Sequence, residues 1–117
     1  MNKEIVNKFI NDYYNNSSNN SYLFSPTCLY TINNFEFAGS NMVNQYMANM
    51  NIHRFVYTNI TNIISQPIYG TDWLVSVNGS LNMVFTNGII SYNSIFNEIF
   101  KLTLIGSDYY ITNYIIN

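Results

Sequence analysis

The chain has 117 residues and a formal net charge of -2, with charged side chains at 9% of positions and hydrophobic ones at 48%. That length suits one domain, 1–117, with a sizeable core, and that hydrophobic content excludes a disordered chain. Lys3, Lys8, Arg54 and Lys101 are scattered, so no basic patch exists to grip a phosphate backbone, and nucleic acid is not an expected partner.

Ile5, Val6, Phe9, Ile10, Tyr13 and Tyr14 recur at steps of one, three and four, the spacing of an amphipathic helix. The polar tract 15–21 then leads to Tyr22-Leu23-Phe24, read as a second short helical element packed against the first. Residues 27–32 and 35–37 read as two strands of a small hairpin turning at Asn33-Asn34. Ser40 is the expected N-cap of a further helix. On it Met42, Val43, Tyr46, Met47 and Met50 fall at helical spacing, most simply as adaptable core.

From Phe55 onward the period changes to two. Residues 55–64 alternate as one long strand and 73–85 as a second, with Thr86-Asn87-Gly88 as a tight hairpin turn. Residues 89–104 predict a third strand, and 109–116 a last one after the turn at Gly106-Ser107-Asp108. Helices and a small hairpin followed by an antiparallel meander make an α+β domain: three N-terminal helices on a strongly bent antiparallel sheet. Strict alternation sets Ile95 and Ile99 opposite Phe96, Phe100, Leu102 and Leu104, and Tyr110 and Tyr114 opposite Tyr109, Ile111 and Ile115. Helices cover one face of such a sheet, so the other is expected to meet a second copy of the chain.

The order of these elements resembles the nuclear transport factor 2-like family, a cystatin-like cone. The motifs that carry the resemblance are Phe9-Ile10-Asn11-Asp12-Tyr13-Tyr14 at the end of the first helix and Phe37-Ala38-Gly39 before the next. Ile60-Thr61, Gln66-Pro67, Val77-Asn78-Gly79-Ser80-Leu81 and Phe96-Asn97-Glu98-Ile99-Phe100 follow in the family's order. Gly79, inside an alternating strand, is expected to permit the bend that a cone needs.

The resemblance implies a non-catalytic, homodimeric protein-binding adaptor, of a kind that serves nucleocytoplasmic transport. It places a groove for short Phe-Gly segments at Phe9, Tyr22 or Leu23, and Phe100. Ran GTPase is not an expected partner, because the loops that would carry acidic residues read Asn33-Asn34 and Thr86-Asn87-Gly88. The alternative is a small-molecule-binding or ketosteroid isomerase-like enzyme of the same fold. For that reading Glu98, in phase with Phe96 and Phe100, is the candidate base, its pKa raised by an apolar setting. Tyr13 or Tyr14 would polarise a carbonyl. The family's catalytic aspartate position, on the first hairpin, holds Tyr30, Thr31 and Ile32 instead.

No cofactor is expected. His53 and Cys28, one of each and far apart, cannot form an ordinary metal site, and the glycines are too isolated for a phosphate loop. A single cysteine forms no internal disulfide. No leader and no membrane-length apolar run is evident, so the expected location is cytoplasmic or nucleoplasmic, away from a membrane.

Overall fold

The structure is a computed structural model and describes residues 3–15 and 23–117. Helix α1 (Lys3–Asn15) is followed by β1 (Phe24–Ile32), β2 (Phe35–Ala38), helix α2 (Ser40–Asn49), β3 (Ile52–Pro67), β4 (Trp73–Phe85), β5 (Ser94–Ile105) and β6 (Asp108–Ile116). The described residues thus hold two helices and not the three expected. Phe24, read as part of a helical turn, opens β1, where its ring stacks on Tyr30. Tyr22 lies outside the described residues.

The six strands form one sheet in the order β2-β1-β6-β5-β4-β3. It is not wholly antiparallel: β1 lies parallel to β6. Parallel neighbours need a long crossover, and here all the chain between Ile32 and Asp108 supplies it. The β1–β2 hairpin turns through Asn33 and Asn34, at φ 48° and 75°, the left-handed pair that a two-residue hairpin requires.

The core is built from α1 and the inner face of the sheet. Val6, Ile10 and Tyr13 of α1 meet Val75, Val77, Phe100, Leu102 and Ile111, all buried. Cys28 joins them, and burial raises its thiol to about 11.

Helix α2 departs from expectation twice. Its N-cap is Gly39, at φ 85°, and Ser40 is the first helical residue with no side-chain cap bond. Gly39 donates its N–H to the Cys28 carbonyl at 2.9 Å, which ties the helix start to β1. The methionines are not its core face. Val43 and Tyr46 pack against the core, while Met42 and Met50 are exposed and Met47 is half-buried, for no residue of this helix is fully buried.

Two strand readings also change. The strand expected from Ile89 starts only at Ser94. Ser91 takes the Met83 amide on its hydroxyl at 2.8 Å, and Ile90 makes just an isolated bridge to Val84. In β6 the register slips: Lys101 pairs with Asn113 but Leu102 with Ile111. The extra residue, Thr112, reverses the alternation beyond it. Tyr114, which strict alternation sets opposite Tyr109 and Ile111, therefore points inward with them, and Ile115 points outward.

The bend centres on Gly79. Its partner strand β3 has register irregularities on both sides, between Tyr57 and Asn59 and between Ile60 and Asn62. They press the Asn59 carbonyl so close that a Cβ on residue 79 would sit 2.2 Å from that oxygen. The glycine is needed for close approach.

Candidate functional site

Three places inside and around the cone bear on function. The first is a polar cluster at its floor. Glu98, on β5, faces inward in phase with Phe96 and Phe100 and has no exposed surface. Tyr14 of α1 donates its hydroxyl to Glu98 Oε1 at 2.5 Å, Tyr57 of β3 donates to Oε2 at 2.6 Å, and Tyr114 of β6 donates to the same Oε2. Tyr13 packs edge-on against Tyr14, its ring centroid 4.8 Å away. Burial pushes the Glu98 carboxyl above its usual range, and the Tyr114, Tyr14 and Tyr57 hydroxyls oppose that shift. The phenols of Tyr13, Tyr14, Tyr57 and Tyr114 are all raised, by burial first; the Glu98 charge adds to each.

The second place is the mouth. An open cavity of about 330 Å³ lies between the C-terminal end of α2 and the sheet. Tyr46, Met50, Ile52, Leu81, Met83 and Phe96 are among its walls. Among the described residues, neither Glu98 nor any other carboxylate side chain lines it. Phe96 is shared with the floor, for its ring meets that of Tyr57 at 5.2 Å.

The third is a groove of about 370 Å³ on the other side of α1. Ile5, Phe9, Leu23 and Tyr110 give it apolar walls, and Lys8 and Asp12 stand at its rim, bridged at 2.9 Å.

A curved six-stranded sheet around two helices has many counterparts among solved structures. Nuclear transport factor 2 (Ntf2) from Cryptosporidium parvum superposes with a TM-score of 0.76 at 21% identity, over 97% of this chain and 91% of that one. The yeast UBP3-associated protein BRE5 gives 0.71 at 20%, over 100% and 95%. A protein of cystatin-like fold from Caulobacter vibrioides gives 0.72 at 12%, over 97% and 87%. The chain has the nuclear transport factor 2-like fold. No family model and no curated protein matches it by sequence.

Within this fold the site residues expected from sequence are divided. Phe9 and Leu23 come together at the groove, but Phe100 does not reach it. It lies in the core behind Tyr13, ring centroids 5.8 Å apart, with 1% of its surface exposed. Glu98, Tyr13 and Tyr14 do come together, as a closed cluster and not at the cavity.

Two members of that cluster were not singled out in the sequence. Strict alternation sets Tyr114 opposite Tyr109 and Ile111, whereas it shares their face, because the Thr112 irregularity leaves no mark in the sequence. Tyr57 is one aromatic among many in an alternating strand. Its phase with Phe55 was the available signal, and nothing local ties it to a carboxylate 41 residues away.

Proposed function

We propose that this chain is a non-catalytic binding domain that pairs with a second copy through the outer face of its sheet. The groove beside α1 takes short apolar segments of the Phe-Gly type from partner proteins. The observation that carries the reading is the contrast between the buried carboxylate and the open groove. Glu98 already accepts three hydroxyls and is sealed from solvent, so it has no path to a substrate. Phe9, Leu23 and Tyr110 instead offer an accessible apolar slot, into which an aromatic side chain can insert.

Pairing is supported by the outer face, where alternation leaves Leu29, Leu74, Ile95 and Ile115 exposed, on a surface with few charges to repel a twin. Sedimentation at micromolar concentration tests it: Ile115→Glu should shift a dimer to monomer, and a monomeric wild type would end the pairing idea. For the groove, amide shifts are followed while a Phe-Gly repeat peptide is added. Changes around Phe9, Leu23 and Ser107 are expected, and no change at millimolar peptide would reject the groove.

A second reading, binding of an uncharged apolar small molecule, draws on the mouth cavity. Its apolar walls and volume fit such a ligand. A rise in melting temperature with small aromatic compounds, abolished by Leu81→Trp, would favour it over the groove.

A further inference from the structure

Strand β3 forms one edge of the sheet, and among the described residues its outward backbone groups have no strand to pair with. Proteins commonly blunt such edges with charges, prolines or irregularities that spoil the template. The first two thirds of β3 are treated in this way. His53 and Arg54 carry the polar start, and register shifts follow between Ile52 and Arg54, Tyr57 and Asn59, and Ile60 and Asn62. From Asn62 to Pro67 the register against β4 is unbroken and no residue is charged.

This straight end has a defined polarity. Lys3 donates its ammonium to the Ser65 carbonyl at 3.4 Å, so that carbonyl is accessible from the open edge. Backbone direction alternates along a strand, so Ile63 and Ser65 present their N–H and C=O outward together. Pro67, two residues on, falls in the same phase, and its missing N–H costs no bond to β4. Beside this edge runs a recess of about 540 Å³, walled by Asn7 and Asn11 of α1 on one side and by Ile63 and Ile64 on the other. Both isoleucines are exposed, at 43% and 49%.

A helix flanking an open, regular, uncharged strand edge is the geometry of strand addition. We propose that residues 62–67 of β3 take an extended segment of another protein chain, neutral along its length and with one carboxylate directed at Lys3. The backbone row requires an extended occupant, since only a strand matches alternate N–H and C=O groups. The exposed Ile63 and Ile64 ask for apolar side chains in it. Lys3 sets the charge, because its ammonium now rests on the Trp73 ring, 5.5 Å from the centroid, and on a carbonyl. A carboxylate is a stronger partner for it than either. This edge and the groove at Phe9 and Leu23 are different surfaces, and each stands without the other.

The test uses the full chain and an acetylated eight-residue peptide alternating threonine and valine, with or without a terminal aspartate. Amide exchange and chemical shifts are followed by residue. The expected result is slowed exchange at Ile63 and Ser65 on adding the aspartate peptide, with shifts at Asn7 and Asn11 and none at Leu23. Ile63→Pro removes an outward N–H and no bond to β4, so it should weaken binding about tenfold or more and leave the melting temperature nearly unchanged. Lys3→Ala, which leaves the strand intact, should weaken the aspartate peptide and not the neutral one. The proposal is overturned by unchanged exchange at millimolar peptide, or by equal binding to the Ile63→Pro variant. Slowed exchange that grows with protein concentration alone would also overturn it, for then a second copy is the occupant.

Discussion

The mouth cavity and the Glu98 cluster lie within one cone and share the wall made by Phe96, yet one is open and apolar and the other closed and polar. At the mouth most walls are apolar, Met50, Ile52, Leu81 and Met83 among them, side chains that ask nothing of a neighbour beyond contact. At the floor every hydroxyl of Tyr14, Tyr57 and Tyr114 is committed to one carboxylate. The mouth can accept a guest by apolar contact, because most of its walls need no polar partner. The floor cannot, since a buried polar network is stable only when each member is satisfied. A carboxylate inside a cone is therefore no sign of catalysis until its access is known.

The harshest way to break this division is to move the wall between the two regions. Gly79 packs against both the Asn59 carbonyl and the Phe96 ring, and an added Cβ would lie 2.2 Å from the first and 3.0 Å from the second. A backbone oxygen cannot rotate away, so Gly79→Ala should cost about 4 kcal/mol or more. Denaturant unfolding measures it, and a loss below about 1 kcal/mol would show that the strands can part there.

Next in size is loss of the cluster's centre. Glu98→Ala leaves three hydroxyls, that of Tyr114 buried, without their acceptor and opens a hole in the core. About 3 kcal/mol of destabilisation is expected from the two effects together. Unfolding free energy decides it, and a near-neutral result would mean that the tyrosines re-pair among themselves.

How much of this was legible in the sequence follows from which signals are local. The inward phase of Glu98 could be read from Phe96 and Phe100, since a strand's period is two and β5 is regular up to Lys101. The tyrosines of α1 could be read in the same way from helical spacing. Tyr114 could not, because a single extra residue in β6 inverts the face of all that follows. The parallel pairing of β1 with β6 was equally hidden, for register between strands so distant in the chain has no local mark. The methionines of α2 misled for another reason: helical spacing shows that a face exists and not what covers it.

The third comparison is of pH. Burial raises the folded-state pKa of Glu98 above its ordinary value of 4.5. The folded state then binds the proton more tightly than the unfolded one. Its contribution is complete below that ordinary value and is lost as pH rises through the folded pKa. Wild type should thus be more stable near pH 4.5 than at neutral pH, as far as this group is concerned. Glu98→Gln removes the titrating group, so the stability of wild type relative to the variant should fall as pH rises. Unfolding curves on both proteins across that range check the sign. A wild-type stability that rises relative to the variant as pH rises would mean that the three hydroxyls outweigh burial and hold the carboxylate charged.

The smallest effect belongs to the mouth, and it sharpens the contrast most. Met50 caps α2 and lines the cavity, and the residue is 53% exposed. Its backbone N–H bonds the Tyr46 carbonyl at 3.1 Å, and an alanine keeps that bond. Little apolar surface returns to water when the side chain is cut, and no polar atom loses a partner. Met50→Ala should therefore change stability by no more than about 0.5 kcal/mol. Thermal unfolding measures this directly. A loss as large as that of Glu98→Ala would mean that the mouth is held shut by packing, and a wall so costly to thin would be core and not a site.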